Sequence, residues 1–303
     1  MQIAVTASSG LIGRALSEQL AGDGVDVLRL VRRAAGAREL QWDPARPDGG
    51  LHATSLDGVD AVVHLSGAPI ASGRWTTKRK RELRDSRIDS TSAIVRAMLA
   101  TPTPPHVLIA GSAIGYYGDT GTTAVNETAP NGSGFLATLV RDWEQAAVPA
   151  KAAGIRVVNL RSGVVLSSRG GMLKPLLLPF RLGLGARIGA GTQYLSWITL
   201  ADHVAATRFL LDNDVDGPVN LTAPVPATNA ELTRALAKAL HRPAALQIPA
   251  GLLRLALGDL SMELLGSIRA VPSVLEAAGF SFQHPAIGQA MASAVADGAS
   301  PLR

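Results

Sequence analysis

The segment TASSGLIG at residues 6–13 has the residue types and spacing of a phosphate-binding turn. In the dinucleotide fingerprint, glycines permit a tight turn, close approach of the backbone to a pyrophosphate, and close packing of helix on strand. The amides at the start of the following helix then face the phosphates. Here Ala7 replaces the first glycine, and the alternative is an ordinary strand-to-helix turn. The predicted contacts in this segment are Ala7, Gly10, Leu11, Ile12 and Gly13.

Arg32 and Arg33 follow the predicted second strand, where an NAD-binding protein usually carries an Asp or Glu for the ribose 2′-hydroxyl. Two guanidinium groups in that place favour a 2′-phosphate instead. NADP is therefore the predicted cofactor, and NAD is the less favoured one. The alternative is that one or both arginines are merely solvated.

The elements that must position these residues alternate along the chain. This alternation predicts an α/β fold, a doubly wound parallel sheet of the Rossmann type. Predicted strands include 3–7, 25–31, 60–67, 106–113 and 155–163, and predicted helices include 11–22, 79–100 and 135–153.

We expect an NADP-binding domain formed by residues 1–167 and 196–223. A smaller, mostly helical substrate-side domain is expected over 168–195 and 224–303. Within it, Thr228 and Glu231 form a T-x-x-E capping box, which predicts that a helix begins at residue 229.

Composition excludes several kinds of chemistry. The 303 residues are 47% apolar and include no cysteine, so disulfides, thiolate nucleophiles and cysteine-ligated metals are ruled out. The six histidines are scattered without ligand spacing, and we expect no metal site. The sequence contains no G-x-x-x-x-G-K loop, no G-x-S-x-G elbow and no H-E-x-x-H motif.

The net charge is +5, and a window over residues 74–87 contains seven basic and two acidic residues. A basic segment this local indicates an anion site or a solvated helix face rather than a nucleic-acid footprint. The N-terminus lacks the features of a signal peptide, and no long uncharged apolar stretch is present. We therefore expect a cytoplasmic protein with a small-molecule substrate, without nucleic-acid or membrane partners; the oligomeric state is left open.

Longer segments carry a family resemblance that spans nearly the whole chain. They include HLSGAPI (64–70), RWTTKRKRELRDSRIDST (74–91), GSAIGYYG (111–118), FLATLVRDWEQAA (135–147), VVNLRSGVVLS (157–167) and SWITLADHV (196–204). The chain resembles the epimerase-type atypical branch of the extended short-chain dehydrogenases/reductases, whose members are often labelled sugar-nucleotide epimerases. The resemblance implies an NADP-binding extended fold with a short C-terminal domain of unknown role.

The resemblance also implies a set of cofactor contacts. Leu65 and Ser66 end a predicted central strand at its carboxyl end, where ligands bind in open α/β sheets. Ala7 departs from the pattern, because its methyl group suits a negative φ and a positive φ there would put nucleotide affinity in doubt. The contacts carried over are Val31, Arg32, Leu65, Ser66, Glu82, Arg87 and Val165, to which we add Gly67.

Active short-chain dehydrogenases use Tyr-x-x-x-Lys on a helix, where the lysine lowers the pKa of the tyrosine. No such pair occurs in this chain, and alignment on Glu144 puts Leu136 and Val140 at the two positions. The candidate catalytic residues are Ser112, Tyr116 and Tyr117. Alternatively, Ser112 only caps a strand end and the tyrosines line a pocket or pack.

Three functions compete at this point. The first is an NADP-dependent oxidoreductase or epimerase acting on a small carbonyl or nucleotide-sugar substrate. The second is a catalytically silent NADP(H)-binding sensor or partner-binding protein, suggested by the missing Tyr-Lys pair. The third, a nucleic-acid binder that uses residues 74–87, is disfavoured because the basic run is confined to one helix.

Overall fold

The structure, a computed structural model, describes residues 1–46 and 48–296. Pro47 and residues 297–303, which end the predicted substrate-side domain, lie outside the described residues. The strands are β1 Gln2–Thr6, β2 Asp26–Val31, β3 Glu39–Gln41, β4 Ala61–His64, β5 Val107–Ala113, β6 Ala124–Val125, β7 Arg156–Ser162, β8 Val164–Leu166, β9 Ala186–Ile188, β10 Tyr194–Leu195, β11 Trp197–Thr199, β12 Gly217–Leu221, β13 Ala227–Thr228, β14 Leu246–Ile248 and β15 Arg269–Ala270.

The helices follow the predicted alternation through the first half of the chain. A short 3₁₀ helix, Ile114–Tyr117, also follows β5. The α-helices are α1 Leu11–Gly22, α2 Thr77–Ala100, α3 Phe135–Gln145, α4 Val148–Ala152, α5 Leu173–Arg181, α6 Leu200–Asp212, α7 Asn229–Ala239, α8 Ala250–Leu257, α9 Leu260–Leu265, α10 Ser273–Ala277 and α11 Ile287–Ala296. Within the described part of the chain, no helix is both long and apolar enough to cross a bilayer.

Seven strands form one parallel sheet in the order β12-β7-β5-β4-β1-β2-β3. The predicted α/β class and doubly wound parallel sheet are confirmed. From β1 the chain builds outward to β2 and β3, then returns to place β4 on the other side of β1. The order therefore reverses between β1 and β4, and a crevice opens beyond their carboxyl ends, where ligands of this fold class bind.

Both faces of the sheet are buried, because side chains alternate between two apolar clusters. Ile3 and Val5 of β1 point into one cluster, which also holds leucines of α1 and α6. Ala4 of the same strand points into the other cluster, with Ile94 and Met98 of α2. The sheet is thus a rigid frame whose exposed carboxyl edge carries the candidate site.

The smaller part of the molecule combines helices with short strand pairs. β9 pairs with β14 and β10 with β13, and β15 pairs with β6 of the larger part. A third apolar cluster holds this part together, with Leu232 and Leu236 of α7 against Met291 of α11. The predicted capping box is confirmed: Thr228 and the side chain of Glu231 bond reciprocally at the start of α7.

Candidate functional site

A groove of about 1850 Å³ lies at the carboxyl edge of the sheet, where the strand order reverses. We call it the glycine-turn groove, because the turn after β1 forms one wall. The other walls include residues of α1, of β2 and β3, of the loops after β2 and β4, and of the start of α2. Of the sequence-predicted cofactor residues, it is lined by Ala7, Gly10, Val31, Arg32, Ser66, Gly67 and Glu82.

The glycine turn is held by its own backbone. Gly10 N–H donates to the carbonyl of Ala7 at 2.8 Å, and a Cβ on Gly13 would lie 2.3 Å from the same oxygen. Gly13 is therefore required for α1 to pack on the turn. Gly10 caps α1 without a side-chain hydrogen bond, which leaves the amides of the first turn available to a ligand.

Ala7 adopts a left-handed conformation, with φ at +53°. This is the conformation for which the sequence pattern uses glycine, and an alanine there costs about 1–2 kcal/mol in strain. The surrounding turn holds that strain, since both the Gly10 hydrogen bond and the Gly13 contact involve the carbonyl of Ala7. Ala7 therefore has the positive φ that, on the sequence argument, puts nucleotide affinity in doubt.

His64, at the end of β4, ties the glycine turn to its neighbours and is fully buried. Thr6 Oγ1 accepts from Leu65 N–H at 2.9 Å and bonds His64 Nδ1 at 3.1 Å. Ser90 Oγ donates to Ser86 O at 2.8 Å, so it accepts at 3.2 Å from His64 Nε2. The histidine is thus neutral, and burial lowers its pKa to about 3.

The two arginines after β2 have different environments. Arg33 makes a two-point ion pair with Glu39 of β3, with N–O distances of 2.6 and 2.8 Å. That hydrogen bond is the largest cause lowering the pKa of Glu39 to about 2, and Arg29 adds a contact at 3.2 Å. Arg32 is exposed and makes no ion pair or side-chain hydrogen bond with any described residue.

The charged residues at the start of α2 likewise include both paired and unpaired side chains. Glu82 pairs with Arg79 at 2.7 Å, whereas Lys78 and Arg81 line the groove without an ion pair to any residue described. Arg87 is buried below the loop after β4 and donates to the carbonyls of Leu83 and Ala68, each at 3.0 Å. Burial lowers the pKa of Arg87 to about 10, so it remains charged at neutral pH without a carboxylate partner.

The remaining predicted cofactor residues do not line the groove. Leu11 begins α1 and faces Gly170, where a Cβ would meet its methyl groups at 3.3 Å. Val165 of β8 pairs in register with Ile198 of β11 and packs against the core. Ile12 follows Leu11 in the first turn of α1.

Ser112 belongs to a buried polar network at the carboxyl end of β5. Its hydroxyl donates to Glu144 Oε1 at 2.6 Å. Arg161 of β7 binds the same carboxylate through two bonds, of 2.8 and 2.9 Å. Only 3% of Arg161 is exposed; burial opposes its charge, but the hydrogen bonds and charge of Glu144 outweigh burial and raise its pKa.

The two neighbouring tyrosines differ in the environment of the phenol. Tyr117 is buried, and its hydroxyl donates to Asn220 Oδ1 at 2.7 Å and accepts from Arg161 Nη1 at 3.1 Å. Burial raises the pKa of Tyr117 against the opposing effect of Arg161. The Tyr116 ring stacks on the Arg161 guanidinium, 3.5 Å from Cζ to the ring centroid, and its hydroxyl bonds no described residue. We call Ser112, Glu144, Arg161, Tyr117 and Asn220 the Ser112 network.

Helix α3, on which the short-chain dehydrogenase pattern would place Tyr-x-x-x-Lys, has apolar side chains at both positions. Leu136 of α3 packs against Gly115, and Val140 is 2% exposed. Trp143, on the same helix, packs so closely on Gly111 that a Cβ there would lie 2.9 Å from the indole. Helix α3 thus positions Glu144 and closes the core, and it offers no phenol or amine to a ligand.

Three members of the Ser112 network were missed as functional residues in the sequence: Glu144, Arg161 and Asn220. The signal for Arg161 was present, because a charged residue inside the apolar strand segment VVNLRS must find a buried partner. Its partner is 17 residues away on a helix, and no spacing rule identifies it. His64 gave a weaker signal of the same kind.

Comparison with known proteins places the chain in a family. The sequence model of the NAD dependent epimerase/dehydratase family matches residues 3–222, and a domain of unknown function, DUF1731, matches residues 248–294. The chain belongs to the NAD dependent epimerase/dehydratase family. As the resemblance implied, it is an epimerase-type short-chain dehydrogenase/reductase with a C-terminal domain of unknown role.

Individual relatives cover nearly the full length. Epimerase family protein MT2273 of Mycobacterium tuberculosis is 48% identical over 95% of this chain and 96% of its own. The crystal structure of human epimerase family protein SDR39U1 with NADPH superposes with a TM-score of 0.90, at 32% identity over 98% of this chain and 100% of its own. A nucleoside-diphosphate sugar epimerase from Corynebacterium glutamicum, 35% identical, has a TM-score of 0.79 and covers 96% of this chain and 57% of its own.

Proposed function

We propose that this protein is an NADP(H)-dependent oxidoreductase or epimerase that acts on a small carbonyl or nucleotide-sugar substrate. The observation that carries the proposal is the glycine-turn groove, which joins the uncapped amides of α1 to the unpaired guanidinium of Arg32. The human relative crystallised with NADPH and the sugar epimerase name of the Corynebacterium relative support the cofactor and the substrate class.

The groove suits the phosphates of NADP. Backbone amides at the start of α1 would hold the pyrophosphate, helped by the positive end of the helix dipole. Arg32 would hold the 2′-phosphate, because Arg33 is already committed to Glu39. Glu39 is the nearby carboxylate that could have read a free 2′-hydroxyl, but its two arginine partners occupy it. This arrangement favours NADP over NAD.

The residues proposed for chemistry are Ser112 and Tyr116. A bound nicotinamide supplies or accepts a hydride at C4. Tyr116, whose hydroxyl has no described partner, would donate a proton to the substrate oxygen or take it back. Ser112 would accept a hydrogen bond from a substrate hydroxyl, because its own proton is directed to Glu144. Tyr117, the third candidate, would serve as a positioning residue that holds Arg161.

We further propose that residues 1–167 and 196–223 bind the nucleotide, while 168–195 and the region from 224 onward supply substrate contacts. The groove residues all belong to the first set. Limited proteolysis with and without NADPH tests the division: we expect protection of the first set, whereas protection confined to the second would contradict it.

A nucleotide-binding protein without catalysis is the second candidate. It is favoured by the apolar residues Leu136 and Val140 at the Tyr-x-x-x-Lys positions and by the complete pairing of Arg161. In that case the protein would bind NADPH, and the conformation of the C-terminal part would report occupancy of the groove.

Two measurements separate the candidates. The purified protein is denatured and any released nucleotide identified by mass, and the stripped protein is then titrated with NADPH and NADH by calorimetry. Tight NADPH binding with turnover of a carbonyl or nucleotide-sugar panel, lost in Tyr116→Phe and Ser112→Ala, supports the enzyme. Binding without turnover supports the sensor, and absence of binding contradicts both.

A further inference from the structure

Positive charge is unevenly distributed along this chain. Residues 145–201 and 232–258 contain eleven lysines and arginines and no aspartate or glutamate. The rest of the chain contains 18 basic and 24 acidic residues. The +5 surplus therefore arises from these two acid-free stretches, and the basic window at 74–87 is balanced by acidic residues elsewhere.

The fold brings the two acid-free stretches together. Strands β9 and β14 pair in parallel, Leu246 N–H donates to Gly185 O at 3.3 Å, and Arg242 Nε donates to Arg181 O at 3.0 Å. On this surface, four leucines are 49–66% exposed: Leu178, Leu182, Leu184 and Leu246. We call these leucines and the side chains around them the C-terminal leucine face.

Helix α8 carries two further exposed leucines. It begins two residues after β14, and its Leu252 and Leu255 are 58% and 76% exposed, with Arg254 between them. No ion pair to any residue that the structure describes is formed by Arg254 of α8 or by four cations of the face: Lys174, Arg181, Arg187 and Arg242. Exposed leucines among unpaired cations, without a single acid in either stretch, are more than scattered surface apolar residues.

The charge pattern selects the kind of partner. A second copy of the chain in a symmetric contact would bring the same unpaired cations against these, which disfavours self-association. An anionic bilayer satisfies both features, because headgroup phosphates and carboxylates attract the cations while the acyl boundary takes protruding leucines. We propose that the C-terminal leucine face docks peripherally on an anionic lipid surface. This departs from the expectation of no membrane partner.

The test is vesicle flotation with the full-length protein at saturating NADPH, which keeps the groove cations occupied. Vesicles of phosphatidylcholine with 30% phosphatidylserine are compared with pure phosphatidylcholine, at low and at high salt. We expect binding to the anionic vesicles only, weakened at least tenfold by high salt. Each cation near such a surface contributes roughly fivefold in partitioning.

A matched pair of variants locates the contact. Arg181→Glu/Leu182→Ser changes one cation and one exposed leucine of the face, and we expect at least a tenfold loss of partitioning. Val148→Ser/Lys151→Glu makes the same kind of change at exposed positions of α4 and should stay within twofold of the parent. An unchanged melting temperature confirms that both variants fold.

Three results would overturn the proposal. They are no flotation with anionic vesicles, equal partitioning of the two variants, and a dimer in sedimentation velocity that Leu182→Ser dissociates. The last would assign the face to a second copy. Because calorimetric NADPH binding is measured separately, failure of docking is distinguishable from failure of the proposed enzyme.

Discussion

The glycine-turn groove and the Ser112 network lie at the same edge of one sheet, and both depend on arginine. In the groove, Arg32 is exposed and has no described partner. In the network, Arg161 is buried and bound to Glu144, Tyr117 and the ring of Tyr116. The groove therefore has binding capacity left for an anion, whereas the network has satisfied its own charges and acts mainly to position Ser112 and Tyr116.

The largest expected effect breaks the network. Arg161→Met leaves the Glu144 carboxylate without its buried cation, and we expect a loss of about 3–5 kcal/mol in the free energy of unfolding, measured with urea. In Glu144→Met/Arg161→Met both charges are gone, so the loss should be clearly smaller. If the double variant is as unstable as the single one, the pair does not act as a charge pair.

A second prediction concerns two buried, neutral histidines, one beside the glycine turn and one beside the Ser112 network. Burial lowers the pKa of His64, beside the glycine turn, to about 3, and that of His203, which bonds Ser162, to about 4. Below the unfolded value of about 6.5, the unfolded chain binds protons that the folded chain does not. The contribution of each histidine to the free energy of unfolding is thus fully present above that value and is lost as the pH decreases toward the folded pKa.

Between pH 7.5 and 5, each histidine should contribute a loss of about 2 kcal/mol. Urea unfolding at the two pH values checks this. His64→Gln should reduce the pH-dependent loss by about that amount, whatever its effect on stability at pH 7.5. The same pH dependence in parent and variant would show that His64 titrates normally.

A smaller effect concerns the strain in the glycine turn. Ala7→Gly removes a strain of about 1–2 kcal/mol but adds chain entropy to the unfolded state worth about 0.4–1 kcal/mol. We expect a net gain of up to about 1.6 kcal/mol in stability and tighter NADPH binding. A loss of stability in Ala7→Gly would contradict the inference that Ala7 is strained.

The control for Ala7→Gly is Gly22→Ala, which exchanges the same two residue types outside the turn. A Cβ added at Gly22, the last residue of α1, would meet no heavy atom within 4 Å. Gly22→Ala should therefore change stability only through the entropy of the unfolded chain and helix propensity, and it should leave NADPH affinity unchanged.

Features formed by neighbouring residues could be predicted from the sequence. The glycine turn and Arg32 each lie directly after a strand, and the alternation of strands and helices predicted the doubly wound sheet. The Ser112 network could not be predicted, because Ser112, Arg161 and Asn220 are on β5, β7 and β12 and meet only through the order of the sheet. The positive φ of Ala7 was also hidden, since alanine rarely adopts it.

The most direct test of the account is the cofactor selectivity of Arg32→Gln. Calorimetry should show NADPH affinity reduced about 10–100-fold, the effect of losing a hydrogen-bonded charge, while NADH affinity is unchanged. Arg38→Gln, which also lines the groove but pairs with Asp26 at 3.6 Å, should stay within about threefold for both nucleotides. An unchanged ratio of NADPH to NADH affinity in Arg32→Gln would contradict the assignment of the groove to NADP.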